Sequence, residues 1–215
     1  MAEKTRQLIV DTALRLFKER GFEATTMRAI ATEAGISVGN AYYYFASKEQ
    51  LIQAYYDRAQ AEHEAACCEV LAVERSFAGR LGGVLREWVR ISEPYHEFAV
   101  KFFKHAAEPS NPLSPFSPES APARESAIGI YRQVVDGSDS RIDPALREEL
   151  PELLWLLSMG VVLFWVHDTS PGCERTYRLI DRTVSLVDRL VALSYLPGIR
   201  GVTKDFIDVV RELRA

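Results

Sequence analysis

Cysteine is scarce in this chain: 3 residues in 215, with no Cys-x-x-Cys pair and no His-rich partner set. That spacing excludes the usual zinc frameworks, and an odd number of thiols without a secretory signal points to a reducing cytoplasm. A long hydrophobic run is also missing. The most apolar stretch, Leu153 to Val166, is 14 residues, short of the roughly 20 a membrane span needs, so it is expected to be a helix buried on all sides and no membrane is expected. Strand-like alternation of apolar and polar residues is absent, which leaves helices. No G-x-S-x-G, Walker A or G-x-G-x-x-G pattern occurs, so an enzyme is not expected. Positive charge is not in excess either. The net charge is −4, although residues 1–50 carry 7 Lys and Arg against 6 Asp and Glu, and the remainder nets −5. A basic protein throughout is excluded; a near-neutral head on an acidic body is not, because phosphate contacts need only local cations.

What is present is helical periodicity almost everywhere. Ile9, Ala13, Leu16 and Phe17 share one face of a helix over about 3–20, which Gly21 ends. Thr25 or Thr26 is placed to cap a second helix closed by Gly35, and Ser37 to cap a third. Ser47 opens S-K-E-Q, a capping-box pattern for a long helix to about Val73. Further helices are expected at about 77–92, 95–107, 123–136, 144–168, 173–195 and 203–214. Between them, residues 109–122 hold five prolines, which forbid a helix interior; a disordered surface loop is the favoured reading.

The stretch from Thr25 to Leu51 carries the chemistry. Two short helices meet at a Gly turn, with Ile30, Ala31, Ile36, Ala41 and Tyr44 or Phe45 facing inward, as a helix-turn-helix requires. The outer face of the third helix starts at Val38, Gly39 and Asn40, where a recognition helix meets base edges. Asn can pair with adenine and Val can touch a thymine methyl. Tyr42 and Tyr43 can bond phosphate oxygens, and Lys48 adds a cation at a helix start. Thr26, Arg28 and Ser37 sit at helix openings within reach of a DNA backbone. A Tyr-rich helix can also serve a protein interface, which is the rival reading.

Taken together, Ala13 and Phe17; Gly21, Phe22, Ala24, Thr25 and Thr26; Ile30, Ala31, Ala34, Gly35, Ile36 and Ser37; and Gly39, Tyr42, Phe45, Lys48, Glu49 and Leu51 resemble the DNA-binding domain of TetR-type (tetracycline-repressor-like) regulators over about residues 4–55. The resemblance implies an all-α homodimer of about nine helices. A three-helix DNA-binding domain (1–50) would precede a larger helical ligand-binding and dimerisation domain (51–215). It further implies a repressor on a palindromic operator of double-stranded DNA, released by a small-molecule effector, with Thr26, Tyr42, Tyr43 and Lys48 on phosphates. One departure bears on base reading: many members have Lys where this chain has Val38, and Thr-Leu where it has Asn40-Ala41.

The rest of the chain is rich in aromatics. Trp88, Phe98, Phe102, Tyr131 and Trp155 are candidates to line a pocket for an apolar or aromatic effector, with His96, His105 and His167 as polar candidates; for any single aromatic at helical spacing, plain core packing is the favoured reading. In the helix at 173–195, apolar residues fill half the wheel. With the apolar helix at 144–168 it could form half of a four-helix interface with a second copy. His63 and Cys67 share a helix face, while Cys68 points about 100° away; buried structural thiols are expected rather than a metal or redox site, and no cofactor is expected.

Overall fold

Most helices begin where the sequence supplies an oxygen to take up a loose N–H. Thr26 accepts from Ala29 N at 3.1 Å, Ser37 from Asn40 N at 3.1 Å and Ser76 from Gly79 N at 3.0 Å. Asp143 accepts from Ala145 N at 3.0 Å. At Ser47 the box is shifted by one residue: Ser47 Oγ accepts from Gln50 N at 3.4 Å, and Gln50 Oε1 accepts from Ala46 N at 2.8 Å. The computed structural model describes residues 2–108, 111–196, 198 and 200–212, among which there are ten α-helices and no strand. They are α1 (Ala2–Arg20), α2 (Met27–Glu33), α3 (Val38–Tyr44), α4 (Lys48–Val73), α5 (Phe77–Ser92), α6 (His96–Ala106), α7 (Ala121–Asp136), α8 (Pro144–Val166), α9 (Glu174–Ser194) and α10 (Arg200–Glu212). The all-α expectation holds, with one helix more than the resemblance implied.

By compactness the chain groups into two units, Met1–Ala61 with Pro94–Arg124, and Glu62–Glu93 with Glu125–Ala215. The sequence boundary at residue 50 divides the chain by role; the compact grouping instead places the boundary inside α4 and gathers α6 into the first unit. The core of that unit is built from Ile9, Ala13, Leu16 and Phe17 of α1, Ile30 and Ala31 of α2, Ala41 of α3 and Phe45 beyond it, and Leu51 and Ile52 of α4, closed by Phe98 and Phe102 of α6 and by Leu113.

Leu113 corrects the reading of the Pro-rich segment as disordered. Pro109 and Ser110 lie outside the described residues, but residues 111–120 form a loop held by its own hydrogen bonds and by Arg124 of the first turn of α7. Ser117 Oγ donates to Pro112 O at 2.8 Å, and Arg124 donates to Pro115 O at 2.8 Å and Ser117 O at 3.2 Å. Proline bars a helix here but leaves carbonyls free to accept, and the interleaved serines donate to them.

In the second unit α5 lies along α9, burying Leu81, Val84, Leu85 and Val89 on one side and Ile180, Val184 and Val191 on the other. By length and composition α8 could cross a bilayer, yet half of its most apolar window is buried inside the chain, the pattern of a core helix. It is not covered all round, as the sequence suggested. Leu156 and Leu163 on α8, one stripe at helical spacing with the open Gly160, are exposed, and so are Leu186, Leu190 and Leu193 on α9.

The start of α9 is held from a distance. Cys173, at φ 55, precedes it without a capping side chain. Asp168, 3% exposed, takes the role, accepting from Thr176 N at 2.8 Å, Thr176 Oγ1 at 2.7 Å, Ser170 N at 2.9 Å and Ser170 Oγ at 2.7 Å. Burial by itself would push this carboxyl up; the four hydrogen bonds outweigh it and bring it to about 2. A carboxyl depressed in the folded state adds stability above its unfolded value near 4, and that stability is lost as pH falls toward 2. Asp168→Asn is therefore expected to cost about 2 kcal/mol at neutral pH. In urea melts from pH 7 to pH 2 the deficit should shrink on acidification; a deficit independent of pH would contradict this.

Candidate nucleic-acid interface

The helix-turn-helix is fixed by short-range bonds that its sequence specifies. Thr25, buried, donates its hydroxyl to Gly21 O at 2.8 Å and latches the loop to the end of α1. The turn after α2 is a Schellman motif: Ile36 N donates to Ala31 O at 3.0 Å and Gly35 N to Thr32 O at 3.2 Å. Gly35 sits at φ +69, where a side chain would strain the backbone.

Two sides of α3 are then sharply different. Ala41 and Phe45 are buried, and Ile36, Val38 and Tyr44 pack half-buried on the same core. The other side carries Gly39, Asn40, Tyr42 and Tyr43, all exposed, with Tyr42 at 52% and Tyr43 at 82%. Gly39, Tyr42 and Tyr43 follow i, i+3, i+4 spacing and so share one face. A Cβ built at Gly39 meets nothing within 4 Å, and its backbone is ordinary helix, so neither packing nor conformation within the chain requires glycine there. The ring of Tyr43 meets that of Tyr44 edge-on at 5.3 Å. Val38, placed by the sequence on the outer face, has its side chain partly committed to the core.

Thr26, Arg28 and Ser37 are also exposed. Thr26 and Ser37 use their oxygens to accept the capping bonds, which leaves each hydroxyl proton able to donate. Lys48 is less free than its sequence position suggested. Its ammonium donates to Phe22 O at 2.6 Å and lies 4.3 Å from the centre of the Phe22 ring. Of its three N–H donors, one is thus engaged inside the chain. Sequence reasoning missed this pairing, because Phe22 and Lys48 are 26 positions apart and no local pattern links them.

The five aromatic candidates for an effector do not share a unit. The rings of Phe98 and Phe102 stack at 5.3 Å in the core of the first unit, and Phe22 meets Phe102 edge-on at 5.3 Å. Their spacing marked an apolar face of α6 but not what covers it. Trp88, Tyr131 and Trp155 belong to the second unit. Trp88 is half-buried and edge-on to Trp165 at 5.1 Å. Tyr131 is buried and hydrogen-bonded to Ser158; burial raises its hydroxyl above the ordinary tyrosine value. Near it, burial pushes the Cys67 thiol up to about 12 and pulls His63 down, the latter 2.9 Å from Val84 O. A thiol so high is protonated and a poor nucleophile. Cys68 is exposed on the other side of α4. His167 caps the end of α8, with Nδ1 2.8 Å from Leu163 O. The side chain of His105 lies outside the described residues.

Comparison with known proteins agrees with this geometry. Residues 9–55 match the family model of the bacterial regulatory proteins, tetR family, and residues 80–213 match that of the tetracyclin repressor-like C-terminal domain. The chain is 50% identical over 52 residues to the HTH-type transcriptional regulator YerO of Bacillus subtilis, covering 24% of this chain and 18% of that protein. It is 45% identical over 53 residues to UidR, an HTH-type transcriptional regulator of Escherichia coli K12, covering 25% and 27%. The aligned stretches thus span about a fifth to a quarter of those relatives. A TetR-family transcriptional regulator from Streptomyces coelicolor shares the fold over 98% of this chain and 96% of its own, with a TM-score of 0.65 at 19% identity. With both models matched in order, one of them over more than half of its length, the chain belongs to the tetR family of DNA-binding transcriptional regulators.

Proposed function

We propose that this regulator is a cytoplasmic homodimeric repressor that holds a palindromic operator through α3 and is released by a small apolar or aromatic effector. The observation that carries the DNA reading is the open face of α3. A helix locked to its core on one side leaves Gly39, Asn40, Tyr42 and Tyr43 uncovered on the other. Base edges are read by Asn40 and, less deeply, by Val38. Thr26, Ser37, Tyr42, Tyr43 and Lys48 bond phosphates, and Arg28 reaches the backbone or a guanine. Residues 1–50 carry this role and 51–215 carry the effector and dimer roles.

Support for a second copy comes from the uncovered leucines of α8 and α9, within 144–168 and 173–195. For the effector, the candidates that remain are Trp88, Tyr131 and Trp155 of the second unit, of which Trp88 is half-buried and the other two buried; Phe98 and Phe102 are committed to the head core. An effector releases DNA if it binds better to the state in which the two α3 helices leave the ~34–36 Å spacing of successive major grooves.

Two substitutions separate the roles on α3 and α4. Lys48→Ala is expected to weaken binding to every sequence and flatten the salt dependence by about one phosphate contact. Asn40→Ala should instead relax base preference. Equal losses for both variants on all sequences, in anisotropy titrations, would overturn the assignment. Gly39→Ala gives an independent test. Alanine in place of a helical glycine that touches nothing should stabilise the fold by roughly 0.5–1 kcal/mol, yet DNA affinity should fall, because the added methyl stands where DNA approaches. A higher melting temperature with unchanged DNA binding would place the DNA elsewhere.

A further inference from the structure

We propose that Phe102 of α6 is a positioning residue for the phosphate grip of Lys48, acting through Phe22; this rests on the reading of Lys48 as a phosphate contact. The ammonium of Lys48 is located by two features of one residue, the carbonyl of Phe22 at 2.6 Å and its ring at 4.3 Å. Wherever residue 22 goes, the cation goes. Phe22 stands in the loop after Gly21, at φ +86, and is itself only half-buried. Its ring is therefore held by neighbours rather than by its own helix. One is Phe17 of α1 at 5.1 Å; the other is Phe102, whose edge-on contact is 5.3 Å at 68°.

Phe102 is rigid enough to serve as the stop. It is 3% exposed and stacked on Phe98 at 17°. Its helix is tied to the end of α1 by the Lys18–Glu97 ion pair at 3.2 Å and by the Lys101 ammonium on Lys18 O. Aromatic pairs of this edge-on kind favour a defined ring orientation over a sliding one, and a cation over a ring face is held by the ring's quadrupole. The outcome is preorganisation: one N–H of Lys48 is fixed inward, and the remaining donors are presented at the start of α4. Without the Phe102 ring, Phe22 loses one wall and the ammonium samples positions that do not meet a phosphate.

The prediction concerns the salt dependence of DNA binding, which a general loss of fold does not imitate. A fluorescein-labelled duplex of mixed sequence, about three helical turns long, would be titrated with the full chain at several KCl concentrations. Wild type, Phe102→Leu, Lys48→Ala and the double variant would be compared, with circular dichroism and thermal melts as checks of folding. Phe102→Leu should flatten the slope of log K against log salt by up to about 0.9, the value for one phosphate, and should add nothing in the Lys48→Ala background. Phe22→Leu, which keeps the carbonyl and removes the ring, should reproduce the flattening, and it decides the matter if Phe102→Leu does not fold. A wild-type slope in the leucine variants, or effects that simply multiply with that of Lys48→Ala, overturns the positioning role alone. An unchanged slope in Lys48→Ala overturns both that role and the phosphate assignment.

Discussion

Arg80→Ala is expected to cost roughly 3–5 kcal/mol, the largest single loss of stability foreseen for this chain. Arg80 is 4% exposed and donates to Leu71 O at 2.9 Å, Glu74 O at 2.7 Å, Val134 O at 3.2 Å and Gln133 O at 2.8 Å. These carbonyls lie at the C-terminal ends of α4 and α7. The last turn of a helix has no N–H partners of its own and carries the negative end of the helix dipole. One guanidinium therefore closes two helix ends at once, which its planar fork of five donors allows and a lysine ammonium does not. Burial lowers its pKa, but a guanidinium stays charged. Truncation would strand the buried carbonyls of Leu71 and Val134 without donors. Thermal melts should show a fall on the order of 10 °C, with Arg80→Lys recovering only part of it. Gly137→Ala should act on the same clamp, since a Cβ there runs into the guanidinium. A melt of Arg80→Ala within about 2 °C of wild type would mean that water replaces the clamp.

Leu190→Glu is expected to leave each chain folded and abolish the proposed homodimer. Leu190 is 55% exposed and belongs with Leu186 and Leu193 to a stripe of α9 that the chain does not cover. A charge placed there costs little while water reaches it. In a two-fold interface each substitution appears twice, so two carboxylates would have to be buried without partners. Sedimentation should then show a monomer, and operator affinity should drop by orders of magnitude, because a monomer engages only one half-site. A dimer that survives Leu190→Glu with undiminished DNA binding would move the interface away from α9.

Much of the head was legible in the sequence because its signals are local. Ser37 caps α3 by accepting from the N–H three residues on, Gly35 answers a left-handed turn, and the spacing of Ile9, Ala13, Leu16 and Phe17 marks a buried face. These interactions close within a turn or two, so their pattern survives in one dimension. Contacts between distant positions do not. Lys48 reaches Phe22, Arg80 reaches the end of α7, and Phe98 and Phe102 complete a core begun by α1. In each case periodicity told which side was apolar or which residue was charged, but not the partner. The Pro-rich segment failed differently. Proline excludes a helix but is silent on whether neighbouring serines order a loop. In α8 the apolar residues run nearly all round, so the sequence could not show that Leu156 and Leu163 stay uncovered within one chain.

The most direct measurement is an anisotropy titration of the intact chain with two duplexes of equal length. One carries the DNA flanking its own coding sequence and the other a mixed sequence, each at several salt concentrations. The open face of α3 and the cations around it predict tighter binding to the flanking duplex, two chains per duplex and a steep loss of affinity with salt. Equal affinity for both duplexes at every salt concentration would contradict sequence reading by α3.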